Sequence, residues 1–145
     1  MNDDVKYFSS IIFLVYSSMT TYTATTQKIT VTVQPIFLES ESKPILHKFV
    51  FAYIIKIENN SAERVRLLRR YWIITHATGK QEEVRGAGVI GVQPIIFPGK
   101  AHEYNSFCIL ETFEGTMEGT YTMARSNNEL FDILLPKFTM RAMAN

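Results

Sequence analysis

The stretch Lys48-Phe49-Val50-Phe51-Ala52-Tyr53-Ile54-Ile55-Lys56-Ile57-Glu58-Asn59 decides the fold class. Phe49, Phe51, Tyr53, Ile55 and Ile57 fall at every second position, which in an extended chain places all five on one face. Lys48, Lys56 and Glu58 fall on the other, with Val50, Ala52 and Ile54 between them. Aromatic and β-branched residues at this period make a strand. Asn59-Asn60-Ser61 then reads as a turn, because Asn tolerates left-handed backbone and bonds its own chain.

The same period extends outward in both directions. Upstream, Ile29, Val31 and Val33 alternate with Thr30, Thr32 and Gln34, a half-buried strand that Pro35 ends or confines to an edge. Glu39 to Pro44 is a polar loop. Downstream, Val65 and Leu67 share one parity, and Leu68, Trp72 and Ile74 share the other. That switch predicts a bulge or bend near Leu68. Thr78-Gly79-Lys80 is a tight turn, with Gln81 to Arg85 returning as its hairpin partner. Gly86 to Pro94 is a glycine-containing loop. Ile95 to Phe97 is a short strand closed by Pro98-Gly99. His102 to Leu110 carries Tyr104, Ser106 and Cys108 on one face. A strand flanked by Gly115 and Gly119 runs to Met123. Asn127-Asn128 turns again, and two short strands, Phe131 to Leu135 and Phe138 to Met140, follow on either side of Pro136. No amphipathic helix of four turns is present, so the pattern predicts an all-β, mainly antiparallel sandwich or barrel.

The chain has 145 residues, enough for one domain, and it is 46% hydrophobic and 20% charged, which is ordinary for a globular protein. A net charge of +1 gives no whole-molecule field toward nucleic acid or membrane. Cys108 is the only cysteine, so no intrachain disulfide can form and a cytoplasmic location is expected. Ile11 to Tyr16 is apolar, but six residues cannot span a bilayer, which needs about 20. Asp3 and Asp4 stand where a signal peptide carries positive charge.

Gly86-Ala87-Gly88-Val89-Ile90-Gly91 matches the lettering of a dinucleotide-binding loop, whose glycines follow a strand and open a helix. Pro94 and Pro98 come too soon for that helix, so no nucleotide cofactor is expected. The loop reads first as backbone requiring positive φ and close approach. A second reading is an anion site built from loop amides around Gly86, Gly88 and Gly91, with Arg85 beside them and Lys100 and His102 as further candidates. Arg64, Arg66, Arg69 and Arg70 form a basic run before Tyr71 and Trp72. Alternation puts Arg64 and Arg66 on a solvated face and Trp72 in the core, so nucleic acid is not expected. His47, His76 and His102 show no metal-ligand spacing. Glu82-Glu83 reads as a hairpin edge, and Cys108 as a small buried hydrophobe. No catalytic constellation emerges.

Jointly, several segments resemble the ApaG family. They are Arg70-Tyr71-Trp72-Ile73-Ile74-Thr75, Val84 to Pro94, Pro98-Gly99, Tyr104-Asn105-Ser106, Gly115 to Tyr121 and Pro136-Lys137-Phe138. The resemblance runs from about Tyr22 to Phe138. It implies an immunoglobulin-like, fibronectin type III-like antiparallel β-sandwich. It further implies an association with cobalt and magnesium efflux, a gene that often neighbours one for a diadenosine tetraphosphate hydrolase, and protein–protein contact in eukaryotic relatives. Tyr71 stands where the family usually has His, and Phe107 where a small residue is usual. The family's start resembles Met19 onward, which marks residues 1–18 as an extension and residues 19–145 as the domain. The expectation is a non-enzymatic accessory module in divalent-cation homeostasis, binding a phosphate-like anion or a protein partner; the remaining alternative is an undetected nucleotide or phosphoester hydrolase. Edge strands leave a homodimer open.

Overall fold

The computed structural model describes residues 20–143. Residues 1–18 and the start at Met19 lie outside the described residues, and with them the proposed extension. Nine strands are described: β1 (Tyr22–Thr26), β2 (Ile29–Phe37), β3 (Phe49–Asn59), β4 (Val65–His76), β5 (Gln81–Ala87), β6 (Ile95–Ile96), β7 (Ala101–Leu110), β8 (Glu114–Arg125) and β9 (Leu130–Arg141). All pair antiparallel. The front sheet has the order β1-β2-β3-β7; the back sheet has the order β5-β4-β8-β9, with β6 pairing one end of β4. The chain changes sheet between β3 and β4, between β6 and β7 and between β7 and β8, giving the two-sheet sandwich expected from the alternation.

Each strand contributes alternate residues to one core. From the front sheet come Ile29, Val31, Val33, Phe51, Tyr53, Ile55 and Ile57, and from the back sheet Trp72, Met117, Tyr121, Met123 and Phe138. Tyr53 meets Trp72 edge-on at 5.5 Å between ring centroids, and Trp72 meets Tyr121 the same way at 5.9 Å, the edge-to-face arrangement that the ring quadrupole favours. The outward residues Val50, Ala52 and Ile54 are buried too, in a second cluster with Ile36 and Leu38. The segment after β2 holds two single-turn 3-10 helices, Glu39–Glu41 and Pro44–Leu46, in place of the expected loop. Ser42 ties it down: its hydroxyl donates to the Leu38 carbonyl and accepts from the Val50 amide.

Pro35 takes the edge position that was one of its two expected readings, and Pro136 departs from its expected role as a strand break, for one reason. Pro35 lies inside β2, opposite Tyr53, rather than ending it. β1 stops pairing at Val33, so Pro35 occupies a local edge where a missing N–H costs no ladder bond. Pro136 does not split the last strand either. The β8–β9 register shifts between Met117 and Gly119, and Pro136 falls in that irregularity on the edge strand. The expected bulge in β4 is present, with the β4–β8 register shifting between Leu67 and Arg69. β1 was missed, because Tyr22–Thr26 is only half-buried and carries four threonines and alanines out of five.

Asn59 ends β3 and knots three segments. It is fully buried. Its Nδ2 donates to the carbonyls of Glu63 and Ile96, and its Oδ1 accepts from the Ser61 amide and hydroxyl. A buried amide side chain is tolerated because all its bonds are made.

Candidate functional site

The β4 bulge sets the geometry of the site. Beyond it, Arg70 shares the inward parity of Trp72 and Ile74, whereas Arg69, Tyr71 and Ile73 face out. Arg70 pairs across the sheet with Gly86 and Tyr121. A methyl group on Gly86 would lie 2.9 Å from the Arg70 guanidinium carbon, so the guanidinium lies directly over the bare glycine. From there Nη1 donates to the Gly88 carbonyl at 2.7 Å and to the Ala87 carbonyl at 3.3 Å.

The glycine loop is therefore organised by a cation on its carbonyl side. Its amides are largely spent within the protein. The Gly88 amide donates to the Leu68 carbonyl, and Val89 and Val92 exchange both bonds across a two-residue turn. The central residues of that turn, Ile90 and Gly91, both have positive φ, 47° and 76°, as a type I′ hairpin requires. Ile90 is β-branched, so it is strained there. Its side chain is 62% exposed.

The four residues picked out from sequence do not converge on one point, because the loop straddles the sandwich edge. Arg85 and Gly86 border an open groove on the outer face of the back sheet. Gly91 borders a cleft between the sheets, and Gly88 is buried between the two. The groove has a volume of about 540 Å³ and is lined by Arg69, Arg70, Arg85, Thr120, Thr122 and Asp132 among others. Arg85 lies 4.3 Å from the centroid of the Tyr71 ring and pairs loosely with Glu83. The Tyr71 hydroxyl also bonds Glu83 at 3.0 Å, and that bond raises its pKa. Arg69 is exposed and makes no salt bridge among the described residues. Lys100 and His102 line neither the groove nor the cleft.

Sequence reasoning missed Arg70 as an inward cation. The signal was present: a bulge at Leu68 gives Arg70 the parity of Trp72. It also missed the phenol pair beneath it. The Tyr104 and Tyr121 hydroxyls lie 2.6 Å apart, and burial pushes both pKa values far up. Burial likewise lifts Tyr53 to about 12, although a hydrogen bond with Ser106 opposes the rise. Cys108 is buried and its thiol is pushed up to about 12 by burial, which suits a small hydrophobe and not a nucleophile. Glu82 and Glu83 diverge across β5: Glu82 bonds His76 Nε2 at 3.0 Å, while Glu83 serves Tyr71. Among the described residues no three His, Cys, Asp or Glu side chains gather as metal ligands, and no helix is long and apolar enough to cross a membrane.

The comparisons with known proteins agree with this architecture. The family model of the ApaG domain matches residues 39–125. The chain belongs to the ApaG domain family. A protein named Protein ApaG from Methylobacterium sp. (strain 4-46) is 47% identical over 119 residues, covering 82% of this chain and 92% of its own. Protein ApaG of Brucella canis is 44% identical over the same coverage. A crystal structure described as an ApaA protein from Bordetella pertussis superimposes with a TM-score of 0.76 at 38% identity, covering 78% of this chain and 92% of that one. Within the ApaG domain, Arg70, Gly86 and Gly88 thus form one packed unit at the edge of a β-sandwich.

Proposed function

We propose that this ApaG domain is a non-catalytic binding module that recognises a phosphate-like anion in the groove beside the glycine loop. The observation that carries the reading is the pair Arg69 and Arg85 on the outer face, flanking Thr120 and Thr122, with Arg69 lacking a salt-bridge partner among the described residues. Guanidinium groups match phosphate oxygens in bidentate fashion, and the Thr120 hydroxyl adds a donor, the Thr122 hydroxyl being spent on Asp132. Gly86 and Gly88 contribute room and backbone shape. The amides do less than the sequence suggests, since Gly88, Val89 and Val92 already bond within the fold. In this reading the module works in the cytoplasm, and its link to cobalt and magnesium handling runs through the partner that carries or responds to the anion.

The test is a pyrophosphate titration followed on backbone amide resonances. Saturable shifts centred on Arg69, Arg85 and Gly86, lost in Arg69→Ala and Arg85→Ala, support the reading. No shifts at millimolar pyrophosphate would overturn it.

A second reading, a protein-docking module without a small ligand, is favoured by Ile90, Val92, Ile95 and Phe97. These apolar side chains stand about half-exposed or more beside the same loop. Loss of partner binding in Ile90→Ser, with no anion response in the parent protein, would select it.

A further inference from the structure

A second site lies inside the sandwich, next to the outer groove, with which it shares Arg70 and Ala87. On the side where β5 and β7 are both edge strands, the sheets part to form a cleft of about 360 Å³. The glycine loop forms one bank through Val89 to Gly91. Tyr104 and Ser106 form the other, and Tyr53, Arg70, Trp72 and Met117 lie between. Concave, mostly apolar walls with a few convergent polar groups are the usual makeup of a small-molecule site, and this volume is at the small end of the usual range.

Two residues that line the cleft carry donors without the partners that burial calls for. Trp72 is 3% exposed, and its Nε1–H has no hydrogen-bond partner. It is the one buried side-chain polar atom left so among the described residues, whereas buried indoles ordinarily find an acceptor. Arg70 is half-buried and makes no salt bridge among the described residues. Its bonds to the Gly88 and Ala87 carbonyls both leave from Nη1, so the Nη2 and Nε donors stay available. Its charge reaches into the cleft, where it opposes the upward pKa shifts of Tyr53, Tyr104 and Tyr121. A partly buried cation calls for a counter-charge.

We propose that the cleft binds a small amphiphilic carboxylate. Its apolar body packs against Trp72, Met117 and Tyr53, and its carboxylate takes the free edge of Arg70. One cation matches one negative charge. A phosphate dianion has more charge to desolvate than a single cation can compensate. Ile90 and Gly91, held at positive φ on the bank, set the width of the mouth.

Trp72 is the only tryptophan in the chain, so a single indole N–H resonance reports on the site. The full chain, 15N-labelled, is titrated with 3-phenylpropionate and separately with its neutral isostere 3-phenylpropionamide. The acid is expected to move the indole resonance saturably and to bind about tenfold or more tighter than the amide, as a charge-assisted bond implies. Arg70→Lys keeps the charge but loses the fork, and shrinks that preference; Arg85→Ala leaves it unchanged. A purely structural Arg70, pinning the loop, predicts no preference for the acid. No indole shift at millimolar acid, or equal binding of acid and amide, overturns the proposal. The parent protein alone supplies that decision if Arg70→Lys fails to fold. A pyrophosphate response confined to Arg69 and Arg85 bears on the outer groove and leaves the cleft result independent.

Discussion

Gly88 and Gly91 offer a controlled comparison within one loop. Both have positive φ, 61° and 76°, so alanine at either carries the left-handed penalty of roughly 1–2 kcal/mol. They differ in what the new methyl would meet. At Gly91 nothing lies within 4 Å. At Gly88 the Cβ would sit 2.0 Å from the Val92 carbonyl oxygen and 2.8 Å from its carbon. That obstacle is backbone, locked by the two bonds between Val89 and Val92, so it cannot swing aside. Overpacking of this kind adds about 1–3 kcal/mol. Gly91→Ala is therefore expected to lose roughly 1–2 kcal/mol, and Gly88→Ala roughly 2–5 kcal/mol. At about 3 °C per kcal/mol for a domain of this size, the melting point falls by about 3–6 °C and about 6–15 °C respectively. Urea unfolding followed by Trp72 fluorescence measures both. If the two variants are equally stable, or Gly91→Ala is the weaker protein, the loop is not the rigid shape element described here.

Removing the buried amide of Asn59 in Asn59→Ala strands the Ile96 and Glu63 carbonyls and the Ser61 donors; a loss of about 2–4 kcal/mol is expected at an orphaning cost of about 1–3 kcal/mol per group, and a change within 0.5 kcal/mol of the parent in urea, roughly a surface substitution's effect, would refute the knot. His102 has its pKa lowered by desolvation. The unfolded chain therefore binds a proton at higher pH than the folded one, so its contribution to stability is present above the ordinary histidine pKa and is lost as pH falls through the lowered folded value. His102→Gln should flatten the stability profile below about pH 6.5, read from urea midpoints; an unchanged profile removes His102 as the cause.

The sequence by itself determined most of the strands, β1 aside, and their inward faces. Alternation from Phe49 to Ile57 needs no tertiary knowledge, because the pleat alone fixes which side chains share a face. It also placed the bulge at Leu68, since a change of parity can be read from the lettering. What it overread was punctuation. Pro136 looks like a strand break and Pro35 like a break or an edge, but a proline breaks a strand only where its N–H would have met a neighbour. Whether a neighbour is there depends on β1 stopping at Val33 and on the register shift opposite Gly119. The candidate site was half legible for the same reason. Gly86, Gly88 and Gly91 were picked out correctly as backbone positions of special shape. Only the folded sheets show that Arg70 occupies the space left by the missing Gly86 side chain and turns the loop's carbonyls inward. That contact joins residues sixteen positions apart through the pairing of β4 with β5, and no local pattern encodes it. The open edge between β5 and β7, with an unpartnered indole and a lone arginine inside, likewise exists only once two sheets face each other.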